Sequence, residues 1–118
     1  MSTTTFIIVA ALTLVAFYIL RKTQSLDPEK RREILDALEK GATLVDVRTR
    51  QEFDSGHPEG AINVPLHQLQ QDVKGLKRKP RPIVVTCASG MRSARAAKLL
   101  RRSGIEVLDL GGRANWPR

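Results

Sequence analysis

The hydrophobic pattern of the chain begins with a long uncharged stretch. Residues Thr3–Leu20 contain no charged residue, Gly or Pro, and as a helix they would be about 27 Å long, close to the thickness of a hydrocarbon core. Arg21 and Lys22 follow directly, as on a cytoplasmic flank. A cleaved secretory signal is disfavoured, because no positive n-region precedes the stretch and no A-x-A-like site follows it. We predict a transmembrane anchor at 1–22 and a linker at 23–26.

The remaining residues, 27–118, alternate between two hydrophobic periodicities. Short runs rich in β-branched residues predict buried strands at 43–47, 61–64, 83–86 and 105–108. Apolar residues spaced three and four apart predict helices at 28–40, 66–76 and 92–102. Asp27 and Pro28 should begin the first of these helices, and Gly41 should end it. Strands that alternate with helices indicate one α/β domain with a small parallel sheet flanked by helices.

Composition narrows the classes of function. The formal net charge is +8, all of it after Leu20, but only 4% of residues are aromatic, so nucleic-acid binding is disfavoured. The chain has one cysteine, which excludes an intramolecular disulfide and a metal cluster built on Cys spacing. We predict neither a metal nor a cofactor. Because the basic residues follow the apolar stretch, the positive-inside rule predicts a single-pass cell-membrane protein with its domain in the cytoplasm.

The most informative motif is Cys87-Ala-Ser-Gly-Met-Arg-Ser93, which joins a predicted strand to a predicted helix. Ligands of parallel sheets gather at the carboxyl ends of strands, where this loop falls. Gly90 and its small neighbours let the backbone curl with its NH groups inward, as in an anion nest. A thiol at the rim of such a nest, near a helix N-terminus and Arg92, should be stabilised as the thiolate. Cys87 is therefore predicted to be a nucleophile.

With LVDVRTRQEFDSGHPEGAINVPL at 44–66 and LGGRANWP at 110–117, this loop resembles the single-domain rhodaneses. The resemblance implies a rhodanese-like fold and a sulfurtransferase in which Cys87 carries sulfur as a persulfide. It also implies thiosulfate or another sulfane-sulfur donor, and an external thiol or cyanide as acceptor. The residues that would hold the persulfide and the donor's anionic group are Ala88, Ser89, Gly90, Met91, Arg92 and Ser93, with Arg92 as the charged clamp.

Three further residues have competing interpretations. Asp46 and Arg48 lie at a predicted strand end, where they could support the loop from behind it or maintain the fold, the latter with Arg48 paired to Glu52. The second interpretation is favoured. For His57 we expect a hydrogen bond in a turn or in the core rather than proton transfer.

Two other functions stay open. One is a membrane-tethered binding module that uses the rhodanese fold without turnover. The other is a small phosphatase or arsenate reductase, although such loops have one more residue between Cys and Arg than this chain. Two groups of basic residues could contact membrane lipid or form solvated faces, and solvated faces are favoured. They are Arg95, Lys98 and Arg102, and Lys74, Lys77, Arg78, Lys79 and Arg81.

Overall fold

A computed structural model describes residues 2–117, apart from the side chains of residues 21–24. The helices are α1 (Thr3–Gln24), α2 (Pro28–Glu39), α3 (Arg50–Asp54), α4 (Val73–Lys77) and α5 (Met91–Arg102). The strands are β1 (Thr43–Asp46), β2 (Ile62–Asn63), β3 (Ile83–Thr86) and β4 (Val107–Gly111). Short 3₁₀ turns lie at Leu66–Gln68 and Arg113–Asn115.

The strands form one parallel sheet in the order β2-β1-β3-β4. In the central pair, Val45 lies opposite Val85, and Val85 in turn lies opposite Asp109 of β4. The predicted parallel α/β fold is therefore confirmed. All four strands end at the same side of the sheet, called the carboxyl edge below, and β3 leads there directly into the Cys87 loop.

The core lies on both faces of the sheet. On one face α5 and the segment from 66 to 76 cover Val85 and Cys87. On the other face α2 inserts Ile34 against Val84 and Leu110. Alternation along β3 thus points the side chain of Cys87 toward α5 and that of Val84 toward α2, as the period of two in a strand requires.

Several predicted boundaries are wrong by a few residues. Strand β4 begins at Val107 rather than at 105, because Val107 is the residue that pairs with Ile83 at the start of β3. The NH of Ile105 instead donates to the carbonyl of Leu100 in α5. The predicted helix at 66–76 is split into a 3₁₀ turn and α4, although its apolar residues Leu69 and Leu76 are buried as expected.

The ends of α2 agree with the prediction in part. Pro28 is the first helical residue and Gly41, at φ +103°, follows the helix end. Asp27 does not cap the helix with its side chain; instead its carbonyl accepts the NH of Arg31 at 2.9 Å.

Helix α1 is exposed along its described length. Its segment Thr3–Leu20 is long and apolar enough to cross a membrane, and none of it is buried against the domain. The helix continues through Thr23 and Gln24, two residues of the predicted linker. The side chains of Arg21 and Lys22, the predicted cytoplasmic flank, lie outside the described part of the chain.

Candidate active site

The Cys87 loop directs two backbone NH groups toward the sulfur of Cys87. The NH of Gly90 lies 3.0 Å from Cys87 Sγ, and the NH of Ser93, in the first turn of α5, lies 3.3 Å from it. Gly90 reaches this position with φ +105°, a backbone conformation that favours glycine. Two NH groups aimed at one sulfur stabilise negative charge there, as does the start of α5. The loop can therefore support a thiolate.

The position of the thiol differs from the prediction of a rim site. Cys87 is fully buried and belongs to the core cluster under α5. The reason is the strand period, since Cys87 continues β3 and points to the same face as Val85. Of the neighbouring loop residues, Ser89 and Met91 are exposed, and Met91 is 69% exposed.

A second loop packs against the Cys87 loop and fixes its backbone. The NH of Cys87 donates to the Gly111 carbonyl at 3.0 Å, and the NH of Arg113 donates to the Ala88 carbonyl at 2.9 Å. Between these bonds the two backbones approach so closely that a Cβ on Gly112 would lie 2.6 Å from the Ala88 oxygen. Only glycine fits at position 112 without displacement of the loop.

Arg92 forms a bidentate ion pair with Glu52 of α3. Arg92 Nη1 lies 2.6 Å from Glu52 Oε1, and Nη2 lies 2.9 Å from Oε2. The Arg92 hydrogen bond is the main reason that the pKa of Glu52 falls from 4.5 to about 2. The pKa of Arg92 is raised, chiefly by the Glu52 hydrogen bond and to a smaller extent by the charges of Cys87 and Asp46. The predicted pairing of Arg48 with Glu52 is therefore wrong.

Arg48 instead pairs with Asp46 in the interior. Arg48 Nη2 lies 2.6 Å from Asp46 Oδ2 and donates to the Gly56 carbonyl at 2.7 Å, and both members of the pair are buried. The Arg48 guanidinium also lies 4.8 Å from the ring centroid of Trp116, whose Nε1 donates to Thr86 Oγ1 at 2.7 Å. Thr86 directly precedes the cysteine. The pair is therefore connected to the loop through Trp116 rather than by direct hydrogen bonds.

His57 makes the local hydrogen bond that we expected. Its Nδ1 lies 2.9 Å from the Phe53 carbonyl oxygen, and its ring stacks on Phe53 with centroids 3.7 Å apart. His57 is exposed, so the bond belongs to a turn at the end of α3 rather than to the core.

Sequence reasoning missed two residues next to the loop, Glu52 and Gly112. The motif Thr49-x-x-Glu52 is visible as a capping box, and the structure contains it, but the Arg92 partner lies forty residues away in the chain. Gly112 lies in the motif LGGRANWP, but nothing in that motif indicates its contact with Ala88 and Ser89, since that loop is distant in sequence. Within residues 2–117, no group of three or more His, Cys, Asp or Glu side chains is placed to hold a metal ion.

Comparison with known proteins agrees with this geometry. The chain matches the Rhodanese-like domain family over residues 30–117, more than half of its length, and so belongs to that family. Thiosulfate sulfurtransferase 16, chloroplastic, of Arabidopsis thaliana is 35% identical over 98 residues, which cover 70% of this chain and 80% of that protein. The crystal structure of a rhodanese homolog from Thermus thermophilus has 35% identity and a TM-score of 0.55, covering 71% of this chain and 93% of that one.

Another similar protein is Uncharacterized protein YqhL of Bacillus subtilis strain 168. It is 44% identical over 77 residues, which cover 64% of this chain. The chain spans only 60% of that relative's length. The family assignment therefore covers the domain at residues 30–117.

Proposed function

We propose that this chain is a thiosulfate sulfurtransferase of the rhodanese type that carries sulfur on Cys87. The observation that carries the proposal is the placement of Cys87 Sγ within 3.0 Å of the Gly90 NH and 3.3 Å of the Ser93 NH. These donors stabilise a thiolate before reaction and a terminal persulfide sulfur after it. The similarity to Thiosulfate sulfurtransferase 16 of Arabidopsis thaliana supports the same chemistry.

The proposed reaction has two balanced steps. The Cys87 thiolate attacks the outer sulfur of thiosulfate, a new S–S bond forms, and the bond between the two thiosulfate sulfurs breaks with its electron pair leaving on sulfite. The persulfide sulfur is then attacked by an external thiolate or by cyanide, and Cys87 leaves as the thiolate again. An external acceptor is needed because the chain contains a single cysteine.

The roles of the other loop residues follow from their positions. The backbone of Ala88, Ser89, Gly90 and Met91 forms the turn around the sulfur, and Arg92 binds the donor's sulfonate. Since Cys87 is fully buried in this structure, the donor must open the loop or the Arg92 contact before it reaches the thiol. Asp46 and Arg48 would hold Trp116, and through it Thr86, in place behind the loop.

Two variants and one competing substrate test this proposal. Cys87→Ser should abolish thiosulfate:cyanide sulfur transfer while the domain stays folded, since little volume changes. Arg92→Ala should lower kcat/KM on the order of 100-fold, as expected when a charged donor is removed from a site of this kind. Rates on an aryl phosphate should be negligible, because four residues between Cys87 and Arg92 form a ring too small for a phosphoryl group. Efficient phosphate hydrolysis would overturn the assignment.

We also propose that α1 anchors the domain to the cell membrane, with the domain in the cytoplasm. A core helix of a soluble protein would be mostly buried, whereas Thr3–Leu20 is not buried at all. The connection to the domain is short, since the partly buried Leu26 already packs against the core and its NH donates to Asn115 Oδ1 at 3.2 Å. Ser25 and Leu26 line a cavity of about 370 Å³ together with Ser89, Gly90 and Met91. The anchor would therefore hold the carboxyl edge and the Cys87 loop close to the bilayer.

With the carboxyl edge facing the proposed bilayer, the two groups of basic residues lie at different distances from it. The group at 74–81 precedes β3, so it lies at the end of the sheet opposite the carboxyl edge and away from the proposed bilayer. Its interpretation as a solvated face is favoured. In α5, Arg95 lies one turn from the loop and Arg102 at the far end, so only the start of that row approaches the anchor side.

The anchor is tested by fractionation. The full chain should stay in the membrane fraction at high salt, and protease added to intact cells should leave the domain uncut. Release by salt alone, or a mature N-terminus after Leu20, would contradict the anchor.

A further inference from the structure

The Arg92 side chain, which the proposed function assigns to the donor's anionic group, already binds an anion of the protein itself. Both terminal nitrogens of its guanidinium donate to the two oxygens of Glu52, at 2.6 and 2.9 Å. The pair is at the surface, with Arg92 34% and Glu52 35% exposed. Because water reaches both side chains, the pair is weaker than a buried ion pair, and the contact can be exchanged for another anion.

Glu52 is held in this position from its other side. Glu52 Oε1 accepts the NH and the hydroxyl of Thr49, each at 3.1 Å, while the Glu52 NH donates to Thr49 Oγ1 at 3.2 Å. This capping box fixes the carboxylate at the start of α3. With its pKa at about 2, Glu52 remains ionised at neutral pH. Protonation therefore does not free Arg92 under physiological conditions, and a competing anion must do so.

We infer that Glu52 is a positioning residue that occupies the anion site of Arg92 at rest, is displaced by the sulfonate of the donor, and returns as sulfite leaves. This inference rests on the proposed sulfurtransferase function. The carboxylate acts through Arg92 and does not touch the reacting sulfur. It weakens the binding of both the anionic donor and the anionic product by the same competition.

The inference predicts opposite consequences for binding and for release. Without the competing carboxylate, Arg92 binds thiosulfate more tightly, so KM for thiosulfate falls. The same change lets sulfite remain bound, so product inhibition by sulfite becomes stronger. A role limited to the stability of α3 would lower the amount of active protein but would not move KM and the inhibition constant downward together.

The experiment compares three variants of the full chain in detergent. Glu52→Gln keeps an oxygen for Thr49 and removes the charge, and it should lower both KM for thiosulfate and the inhibition constant of sulfite roughly two- to fivefold. Glu52→Asp keeps the charge but withdraws it by one methylene, and it should shift both constants in the same direction. Asp54→Asn is the matched control, since Asp54 lies on the same helix and pairs with exposed Arg50, so the variant alters net charge equally at a residue other than the partner of Arg92.

An equilibrium measurement separates this inference from the proposed function. Calorimetry of thiosulfate binding to Cys87→Ser, with and without Glu52→Gln, measures the anion site without turnover. Tighter binding in the double variant supports the competition even if the wild-type chain transfers no sulfur, in which case only the proposed function fails. Equal or weaker binding in the double variant, unchanged or raised KM in Glu52→Gln, or the same decrease in Asp54→Asn would overturn the inference.

Discussion

Gly112→Ala tests the contact between the Cys87 loop and the loop after β4. An added Cβ would lie 2.6 Å from the Ala88 oxygen, 2.9 Å from the Ser89 carbonyl carbon and 3.1 Å from the Ser89 Cα. All three are backbone atoms, so no side chain can rotate away. The φ of Gly112 is −86°, which alanine adopts freely, so the effect is one of volume alone.

The magnitude follows from these distances. To reach ordinary contact the two backbones must separate by roughly 0.5–1 Å, and overpacking of this kind costs about 1–3 kcal/mol of unfolding free energy. The displacement falls on Ala88 and Ser89, directly beside the thiol and before the Gly90 NH that contacts Sγ. A misplacement of about 1 Å at a reacting centre can cost on the order of 100-fold in rate. Because the expected displacement of the loop is roughly 1 Å or less, we expect Gly112→Ala to lower kcat/KM by about ten- to 100-fold.

Urea unfolding and thiosulfate:cyanide rates measure the two effects separately. Gly75→Ala is the matched control, because an added Cβ there meets nothing within 4 Å and Gly75 lies inside α4. The unfolding free energy of Gly75→Ala should exceed that of the wild type by about 0.5–1 kcal/mol, and its rate of sulfur transfer should equal the wild-type rate. A Gly112→Ala protein as stable and as active as the wild type would refute the close approach of the two loops.

Two further predictions concern charged pairs. Because the pKa of Glu52 is depressed from 4.5 to about 2, its contribution to stability is fully present above about pH 4.5 and is lost as pH falls toward 2. The wild type should therefore lose more unfolding free energy over that range than Glu52→Gln. Parallel curves of unfolding free energy against pH for the two proteins would contradict the pairing with Arg92. Asp46→Ala leaves the buried Arg48 charge without its carboxylate and should cost about 3–5 kcal/mol in urea unfolding, whereas Asp54→Ala, at an exposed pair, should change stability by less than about 1 kcal/mol.

The sequence predicted strands that alternate with helices because local patterns determine these elements. The apolar run at 83–86 predicted β3 with its observed bounds, and the alternation of strands with helices predicted a parallel sheet, whereas the strand order β2-β1-β3-β4 was not predicted. The position of Cys87 after β3 then followed from chain order alone. The burial of Cys87 was not predicted. The alternation of the strand continues one residue past its predicted end at Thr86 and turns the Cys87 side chain into the core.

The pairing of charges could not be predicted from local rules. Spacing of four residues suggested Arg48 with Glu52, but that rule applies within one helix, and α3 begins only at Arg50 after the N-cap Thr49. Arg48 therefore lies outside the helix and turns inward to Asp46, while Glu52 is left to meet Arg92 across the site. Contacts between loops distant in sequence, such as Gly112 with Ala88, depend on the whole fold and leave no periodicity to detect.

The most direct test of the central claim is the intact mass of the protein after exposure to thiosulfate. We predict that the wild-type chain gains the mass of one sulfur atom, that cyanide or an added thiol removes it, and that Cys87→Ser gains none. Because Cys87 is the single cysteine of the chain, the site of the added sulfur is unambiguous. A wild-type mass unchanged by thiosulfate, or sulfur added equally to Cys87→Ser, would contradict the assignment of this chain as a sulfurtransferase.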